Sequence, residues 1–263
     1  MLALKDKKLF LLDMDGTIYL DNDLFDGTLD FLDYVRKIGG RYIFLTNNSS
    51  KGVDKYIEKL DKLGIKSTAE DFLTSTDATI LYLKEKAYKK IYAFGTESFV
   101  KQLKDSGLNV TTEREEEIDC LCLSNDTELS FKKLEDTCIL LRDDIDYIAT
   151  NPDWVCPTWY GFVPDCGSFA DIIYRAVKKR PKFIGKPEPE MAYLAMQATG
   201  FSKAETVLLG DRVYTDIACG VNAGISTVFV LSGEGTMEDV ASSETKPEFI
   251  YENIRKLYED LVK

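Results

Sequence analysis

The sequence contains no histidine, and this absence excludes several kinds of catalytic site. Ser-His-Asp and Cys-His triads, zinc sites built on histidine and phosphohistidine chemistry all require an imidazole. The six cysteines include no C-x-x-C pair and lie mostly in apolar runs, so they indicate free thiols. Any catalysis therefore depends on carboxylates, hydroxyls, lysines or a hard metal ion.

The sequence also lacks a long apolar run and an excess of positive charge. No apolar stretch could span a bilayer, and the few apolar residues after Lys7 and Lys8 are too short for a signal peptide, so the expected location is cytoplasmic. Lysine and arginine number 33 against 45 aspartate and glutamate residues, a net charge of −12 at pH 7, which argues against nucleic-acid and membrane partners. The 263 residues are 44% hydrophobic, enough to bury a core in one large domain or two smaller ones.

The first feature that carries chemistry is the apolar run at residues 9–12, which ends in Asp-Met-Asp-Gly-Thr at residues 13–17. Four large apolar residues in a row predict a parallel strand that is buried on both faces. Ligands bind beyond the carboxyl ends of such strands, and Gly16 allows a tight turn, so Asp13 and Asp15 are expected to face one site. An aspartate-rich turn is the alternative. A calcium loop fits worse, because the glycine required at its sixth position is missing.

A second apolar run, at residues 42–45, is followed by Thr46, Asn47 and Asn48 and then by two serines that can cap the next helix. Hydroxyl and amide groups beside a helix N-terminus suit an anion. A turn with a helix cap would explain the serines, but it does not explain Thr46 and Asn47.

A third apolar run, at residues 207–209, ends in Gly-Asp-Arg at residues 210–212, and Asp216 follows five positions after Asp211. Lys186 lies near the end of another short apolar segment. It does not belong to a phosphate-binding P-loop, because that motif's first glycine and its Ser or Thr are both missing. A lone lysine in such a place is more often solvated than catalytic.

Three predicted strands of one parallel sheet thus end in groups that react or bind anions, which indicates a shared site. A cluster of Asp13, Asp15 and Asp211 offers the hard oxygen ligands that magnesium prefers. A lysine and a hydroxyl nearby would complete a phosphate clamp. The chemistry suggested is phosphoryl transfer with a carboxylate as nucleophile.

These motifs together resemble the haloacid dehalogenase superfamily, in its NagD-like, 4-nitrophenylphosphatase-like branch (subclass IIA). The resemblance implies an α/β fold with a doubly wound, Rossmann-like parallel-sheet core and an inserted α/β cap domain. It also implies a Mg²⁺-dependent phosphatase for small phosphate monoesters, because dehalogenase members usually lack the acid found here as Asp15. The four matching motifs are residues 13–17, 46–49, 185–187 and 210–216.

The resemblance also implies a role for each residue of these motifs. Asp13 is the nucleophile that forms an aspartyl-phosphate, and Asp15 protonates the leaving group and then activates water. The resemblance assigns Mg²⁺ binding to Asp13, Asp211 and the main-chain carbonyl of Asp15. It assigns substrate binding to Thr46, Asn47, Asn48 and Lys186. Asp216 is expected to support the metal or Lys186.

The long insertion between the second and third motifs predicts the domain division. Residues 1–83 and 183–263 form the expected catalytic core, in which residues 73–83 are expected to be helical, and residues 84–182 form the expected cap. The cap residues expected to contact substrate are Asn151, Asp165, Gly167 and Ser168, although ordinary turn chemistry also explains them.

Two other functions stay open from the sequence. A receiver-like phosphoacceptor also places Asp, Mg²⁺, Thr and Lys on a doubly wound sheet, but it needs only ~120 residues and has no acid two positions after its acceptor. A catalytically silent protein that binds phosphate ligands would be excluded only by turnover. The expected partner is a small-molecule phosphate ester, and a homodimer is left open.

Overall fold

The computed structural model describes residues 3–158 and 160–263, along which strands and helices alternate. The strands are β1 (Leu9–Leu12), β2 (Tyr19–Leu20), β3 (Asp23–Leu24), β4 (Arg41–Thr46), β5 (Phe72–Thr74), β6 (Ile91–Phe94), β7 (Val110–Thr111), β8 (Cys120–Leu123), β9 (Asp146–Ala149), β10 (Val155–Thr158), β11 (Gly161–Pro164), β12 (Lys182–Phe183), β13 (Thr206–Gly210), β14 (Ser226–Val230) and β15 (Phe249–Tyr251). The helices are α1 (Thr28–Lys37), α2 (Val53–Lys62), α3 (Ser75–Lys86), α4 (Glu97–Asp105), α5 (Phe131–Leu140), α6 (Cys166–Val177), α7 (Glu190–Thr199), α8 (Ala218–Ala223), α9 (Met237–Ser242) and α10 (Ile254–Leu261). A π-helical turn, Val213–Ile217, precedes α8.

The first sheet has the parallel strand order β15-β14-β13-β1-β4-β5. Every residue of β1 is buried, and Leu12 at its end pairs with Leu209 of β13 and Phe44 of β4. The segments that follow these three strands therefore leave the sheet side by side at one edge. Helices cover both faces, which confirms the predicted α/β fold with a doubly wound parallel-sheet core.

The second sheet has the parallel order β12-β9-β8-β6-β7 and is built from residues 91–183. An antiparallel hairpin of β10 and β11 follows β9. Phe183, which we placed at the start of the core, pairs with Ala149 in this second sheet. On the basis of the two separate sheets we propose that residues 84–182 form the inserted domain, with its last strand extending to Phe183.

The apolar core is continuous between the two sheets. One face of β1 packs through Phe10 and Leu12 against α1, α2 and α10. The other face belongs to a cluster that passes through Ala78 of α3 to Ile91 and Cys120 of the second sheet. Removal of the inserted segment would therefore expose apolar surface on α3, and α3 binds the two sheets together.

The predicted helix at residues 73–83 was wrong at its start. Residues 72–74 form β5, and α3 begins only at Ser75. The reason is a capping box, in which Thr74 Oγ1 accepts the N–H of Asp77 at 3.1 Å and Asp77 Oδ2 accepts the N–H of Thr74 at 2.9 Å. Among the residues described, the structure contains no helix with the length and apolar character needed to cross a membrane.

Candidate active site

Asp13 and Lys186 form an ion pair at the carboxyl edge of the first sheet. Asp13 follows β1 directly, and its N–H donates to the carbonyl of Leu209. The ammonium of Lys186 lies 2.6 Å from Asp13 Oδ1 and 2.6 Å from Asp216 Oδ1, and only 2% of the Lys186 side chain is exposed. Burial alone would lower the pKa of Lys186, but the two carboxylates outweigh it and raise that pKa. Lys186 is thus a charged, buried lysine beside the expected nucleophile and not a solvated one.

Three carboxylates meet next to this lysine. One oxygen each from Asp13, Asp211 and Asp216 lies within 4.8 Å of the others. Asp211 Oδ2 accepts the N–H of Glu234 at 2.6 Å, whereas Asp211 Oδ1 is buried and receives no hydrogen bond from any residue the structure describes. Burial and the charge of Asp216 raise the pKa of Asp211 to about 7, and burial raises the pKa of Asp13 well above its ordinary value.

This set of donors fits a divalent metal ion. Hard cations prefer carboxylate oxygens, and Asp211 Oδ1 is a ligand atom that the protein leaves unused. Asp13 and Asp216 pair with Lys186, and a bound cation would offset the repulsion that remains among the three acids.

Two glycines allow the acids to approach so closely. A Cβ atom at Gly210 would lie 2.2 Å from Asp216 Cβ, and one at Gly233 would lie 1.9 Å from Asp211 Oδ2. Neither position has room for a side chain, so any larger residue would displace an acid of the cluster. The loop that contains Gly233 was not predicted as part of the site.

Asn47, the first residue after β4, connects two parts of the site through its side-chain amide. Its Nδ2 donates to the carbonyl of Lys186 at 3.0 Å and to Asp153 Oδ1 at 3.1 Å, and its Oδ1 accepts the N–H of Lys186 at 2.9 Å. Both side-chain hydrogens of Asn47 are therefore engaged within the protein. Nearby, Thr46 Oγ1 accepts the N–H of Asn48 at 3.2 Å and fixes the turn after β4. The Asn47 side chain thus positions Lys186, a role that the sequence did not predict.

Asp15 lines two cavities. One, of about 30 Å³, is also lined by Asp13, Thr46 and Arg212, and the other, of about 700 Å³, lies along α2. The Tyr19 hydroxyl donates to Asp15 Oδ2 at 3.2 Å. Burial and the Asp15 charge raise the pKa of Tyr19 well above its ordinary value, so this hydroxyl keeps its proton and remains a donor. The hydrogen bond from Tyr19 therefore helps to fix the Asp15 carboxylate beside the small cavity that Asp13 also lines.

Comparison with known proteins identifies this arrangement. Residues 10–109 match the family described as haloacid dehalogenase-like hydrolase, and residues 183–257 match a second family of HAD-like hydrolases. An acid sugar phosphatase of Staphylococcus aureus is 31% identical over 261 residues, which cover 99% of this chain and 100% of that protein. The chain belongs to the haloacid dehalogenase-like hydrolases.

Solved structures of this superfamily resemble the chain over nearly its whole length. A 4-nitrophenylphosphatase from Thermotoga maritima has a TM-score of 0.90 and 38% identity, and the match covers 97% of this chain and 98% of that one. A putative NagD protein has a TM-score of 0.89 and 34% identity, with 99% and 100% covered. The predicted NagD-like branch is confirmed, and the protein is a phosphoric monoester hydrolase.

The four cap candidates of this hydrolase lie in different surroundings. Asn151 is buried and donates to the Asn47 carbonyl at 2.7 Å, so it supports the turn after β4. Asp165 lines the 30 Å³ cavity and caps α6, and burial together with the charge of Asp153 raises its pKa to about 7. Gly167 and Ser168 bond to backbone carbonyls of residues 153–154 and do not line that cavity. Direct substrate contact by these four residues stays a prediction.

A buried network of hydroxyls links the turn after β4 to the strand ends of the second sheet. The Ser49 hydroxyl lies 2.8 Å from Thr150 Oγ1 and accepts a hydrogen bond of 2.8 Å from Ser124 Oγ. Thr96 Oγ1 donates to the Ser50 carbonyl at 3.1 Å. All five side chains are buried, so the second sheet helps to hold the phosphatase motif that follows β4.

Arg212 connects three segments around the site. In its guanidinium group, Nη1 donates to Asp153 Oδ2 at 3.0 Å and Nε lies 2.6 Å from Glu234 Oε2. Its main-chain N–H donates to Asp216 Oδ2 at 3.0 Å. It lines the cavity that Asp13 and Asp15 share, where it adds positive charge. Asp153 and Glu234 were not among the predicted site residues, because each stands in a polar loop that ordinary turn chemistry explains.

Proposed function

We propose that this phosphatase hydrolyses small phosphate monoesters through an aspartyl-phosphate on Asp13. The observation that carries the proposal is the position of the Asp13 carboxylate. It lines a cavity together with Asp15 and Arg212, while Lys186 donates to its Oδ1 at 2.6 Å. Among the residues that the structure describes, Asp13 Oδ2 has only a long contact of 3.5 Å with the Thr17 hydroxyl, so this oxygen is available to attack phosphorus.

The proposed reaction has two displacements. A carboxylate oxygen of Asp13 attacks the phosphorus atom, the bond between phosphorus and the ester oxygen breaks, and Asp15 gives its proton to the departing oxygen. Asp15 then accepts a proton from a water molecule that attacks phosphorus, and the bond between phosphorus and Asp13 breaks to release inorganic phosphate. Tyr19 orients Asp15 for both transfers.

The residues present fit a resident Mg²⁺. We propose that Asp13, Asp211 and the main-chain carbonyl of Asp15 hold the ion, which would supply positive charge to the phosphoryl oxygens. Lys186 adds a second positive charge to that region, and Asp216 fixes the Lys186 ammonium through the 2.6 Å ion pair. Thr46, with backbone donors of the turn after β4, would bind the remaining phosphoryl oxygens.

The names of the relatives suggest the substrate class. One relative is an acid sugar phosphatase and another a 4-nitrophenylphosphatase, so we propose sugar phosphates as natural substrates and 4-nitrophenyl phosphate as an artificial one. The test is phosphate release across a panel of small phosphate esters, each measured with and without Mg²⁺.

Removal of metal is expected to abolish this activity. After treatment with a chelator and buffer exchange, phosphate release should fall to background, and titration with Mg²⁺ should restore it, because three acids otherwise repel the phosphate. Asp211→Asn should raise the Mg²⁺ concentration needed for half-maximal rate, whereas exposed Asp23→Asn should leave it unchanged. Full activity in the chelated enzyme would contradict the metal assignment.

Asp15→Asn is expected to separate the two displacements. The variant keeps the nucleophile but cannot take a proton from water, so turnover should fall by roughly 10²- to 10⁴-fold. 4-Nitrophenolate needs little protonation to leave, so rapid mixing should detect a burst of up to one nitrophenolate per active site, followed by slow release. Exposed Asp23→Asn serves as the matched control with normal kinetics. An undiminished steady-state rate in Asp15→Asn would refute the acid and base role.

A further inference from the structure

A cleft of about 700 Å³ begins at Asp15 and extends along α2. Asp15 is the group proposed to protonate the leaving oxygen, so the part of the substrate that departs must occupy space on this side of the site. The cleft is therefore the open space available to that part of the substrate. The residues that line it are Asp15, Asp21, Asn22, Asn48, Lys51, Lys55, Tyr56, Glu58, Lys59, Lys62, Leu63, Cys156 and Thr158.

Four lysines line this cleft in a chain whose net charge is −12. Lys55, Lys59 and Lys62 follow one another at spacings of four and three residues, which places them on one face of α2. Lys51 lies just before the helix. The lining also holds three acids, Asp15, Asp21 and Glu58, so the cleft carries a net charge of 4 − 3 = +1, opposite in sign to that of the whole molecule.

Two of the lysines are already paired with acids. Lys55 lies 3.1 Å from Glu58 Oε1. Lys59 lies 3.5 Å from Asp15 Oδ1, and its ammonium sits 3.7 Å from the centre of the Tyr19 ring. These contacts fix Lys59 at the inner end of the cleft.

The other two lysines, Lys51 and Lys62, are exposed, and neither has a carboxylate within 4.0 Å in the part of the chain that the structure describes. Asp15 and Glu58 already pair with Lys59 and Lys55. Asp21 is therefore the remaining acid of the cleft lining that could offset the charges of Lys51 and Lys62. An anion bound beside Lys51 or Lys62 would offset the charge of that lysine.

We infer that this cleft recognises a second anionic group, a carboxylate or a phosphate, on the part of the substrate that leaves, with Lys51 and Lys62 as specificity-determining residues. This inference rests on the proposed function, because it assigns the substrate class of the same site. The Lys59 ammonium lies 3.5 Å from Asp15, and Lys62 is three residues, about 4.5 Å, further along α2, so an anion beside Lys62 lies beyond the group that protonates the leaving oxygen. A carbon chain of the size found in sugar and glycerol derivatives spans that distance.

Two matched pairs of esters test the inference and distinguish the two anions. Phosphoglycerate and glycerol phosphate differ by a carboxylate in place of a hydroxymethyl group. Fructose bisphosphate and fructose monophosphate differ by a second phosphate. For each pair, the measured quantity is kcat/KM for the ester with the second anionic group divided by kcat/KM for the ester without it.

We expect this ratio to be about tenfold for at least one pair at low ionic strength, as two partly exposed charge contacts supply. The ratio should decline as salt rises from about 0.01 to 0.1 M, because the Debye length shortens from about 30 to 10 Å. In the variant Lys51→Gln/Lys62→Gln the ratio should fall toward one. The control Lys84→Gln/Lys104→Gln removes the same charge from exposed sites elsewhere and should keep the wild-type ratio.

Other outcomes overturn the inference. A wild-type ratio at or below one for both pairs, or a ratio that Lys51→Gln/Lys62→Gln leaves unchanged, shows that the cleft does not read a second anion. If 4-nitrophenyl phosphate and the esters without a second anionic group are still hydrolysed in that case, the proposed phosphatase function stands. If no ester releases phosphate, the proposed function fails and this inference fails with it.

Discussion

Asp13→Asn is expected to lower phosphate release by at least about 10⁴-fold, because the amide cannot form the aspartyl-phosphate. The substitution keeps the size of the side chain and its place after β1. Lys186 keeps an ion pair with Asp216 at 2.6 Å, so no buried cation loses its last partner. The check is steady-state turnover of 4-nitrophenyl phosphate, together with acid-quenched protein assayed for bound phosphate.

The stability of Asp13→Asn should change by no more than about 1 kcal/mol. In the wild-type site one oxygen each of Asp13, Asp211 and Asp216 lies within 4.8 Å of the others, and Asp13 also pairs with Lys186. The loss of one negative charge therefore relieves repulsion while it removes an ion pair. Denaturant unfolding without metal measures this difference. Exposed Asp33→Asn, which removes a surface ion pair with Lys37, is the matched control. Turnover at the wild-type rate in Asp13→Asn would exclude the nucleophile role.

The sequence predicted those parts of the site that follow directly from buried strands. Four large apolar residues in a row at 9–12 predict a buried strand, and the register of its parallel neighbours brings Asp13 and Asp211 to one edge. The fold, the superfamily and the phosphatase class are all confirmed. Lys186 was predicted only by resemblance, because a lone lysine gives no pattern of its own.

The contacts between the two sheets could not be predicted in the same way. Thr96, Ser124 and Asp153 each follow a strand of the second sheet, and in the sequence each stands among ordinary turn and cap residues. Their role arises only because the turn after β4 packs onto those strand ends, a contact between residues roughly 50 to 100 positions apart. The amide of Asn47 illustrates the consequence, since the sequence assigned it to substrate and the structure engages it with Lys186 and Asp153.

Lys186→Met is expected to have the largest combined effect on activity and stability. Methionine matches the length of the lysine stem but supplies no charge, so Asp13 and Asp216 lose a buried partner that lies 2.6 Å from each. Breaking a buried pair in this way costs about 3 to 5 kcal/mol of unfolding free energy. Phosphate release should also fall to near background, because the site loses the positive charge that faces the phosphoryl group.

The stability deficit of Lys186→Met should grow with pH. Burial already raises the pKa of Asp13 well above its ordinary value and that of Asp211 to about 7, and removal of the lysine charge raises the pKa of Asp13 further. A carboxyl group whose pKa is higher in the folded state binds its proton more tightly there than in the unfolded chain. Its favourable contribution to the free energy of unfolding is present below the unfolded pKa of about 4, and it is lost as pH rises through the folded pKa. Metal-free unfolding at pH 5 and pH 8 should therefore give the larger deficit at pH 8.

Lys7→Met provides the matched control for this charge effect. Lys7 is also a buried lysine, but its ammonium donates to the carbonyl of Ala204 at 2.7 Å and forms no ion pair within 4.0 Å among the residues described. Its replacement removes one hydrogen bond but leaves no buried carboxylate without a positive partner. The loss of stability should therefore be smaller than in Lys186→Met, and activity should persist. Equal losses of stability in the two variants, or a Lys186→Met deficit that does not grow between pH 5 and pH 8, would contradict the view that Lys186 is kept to neutralise the acids of the catalytic cluster.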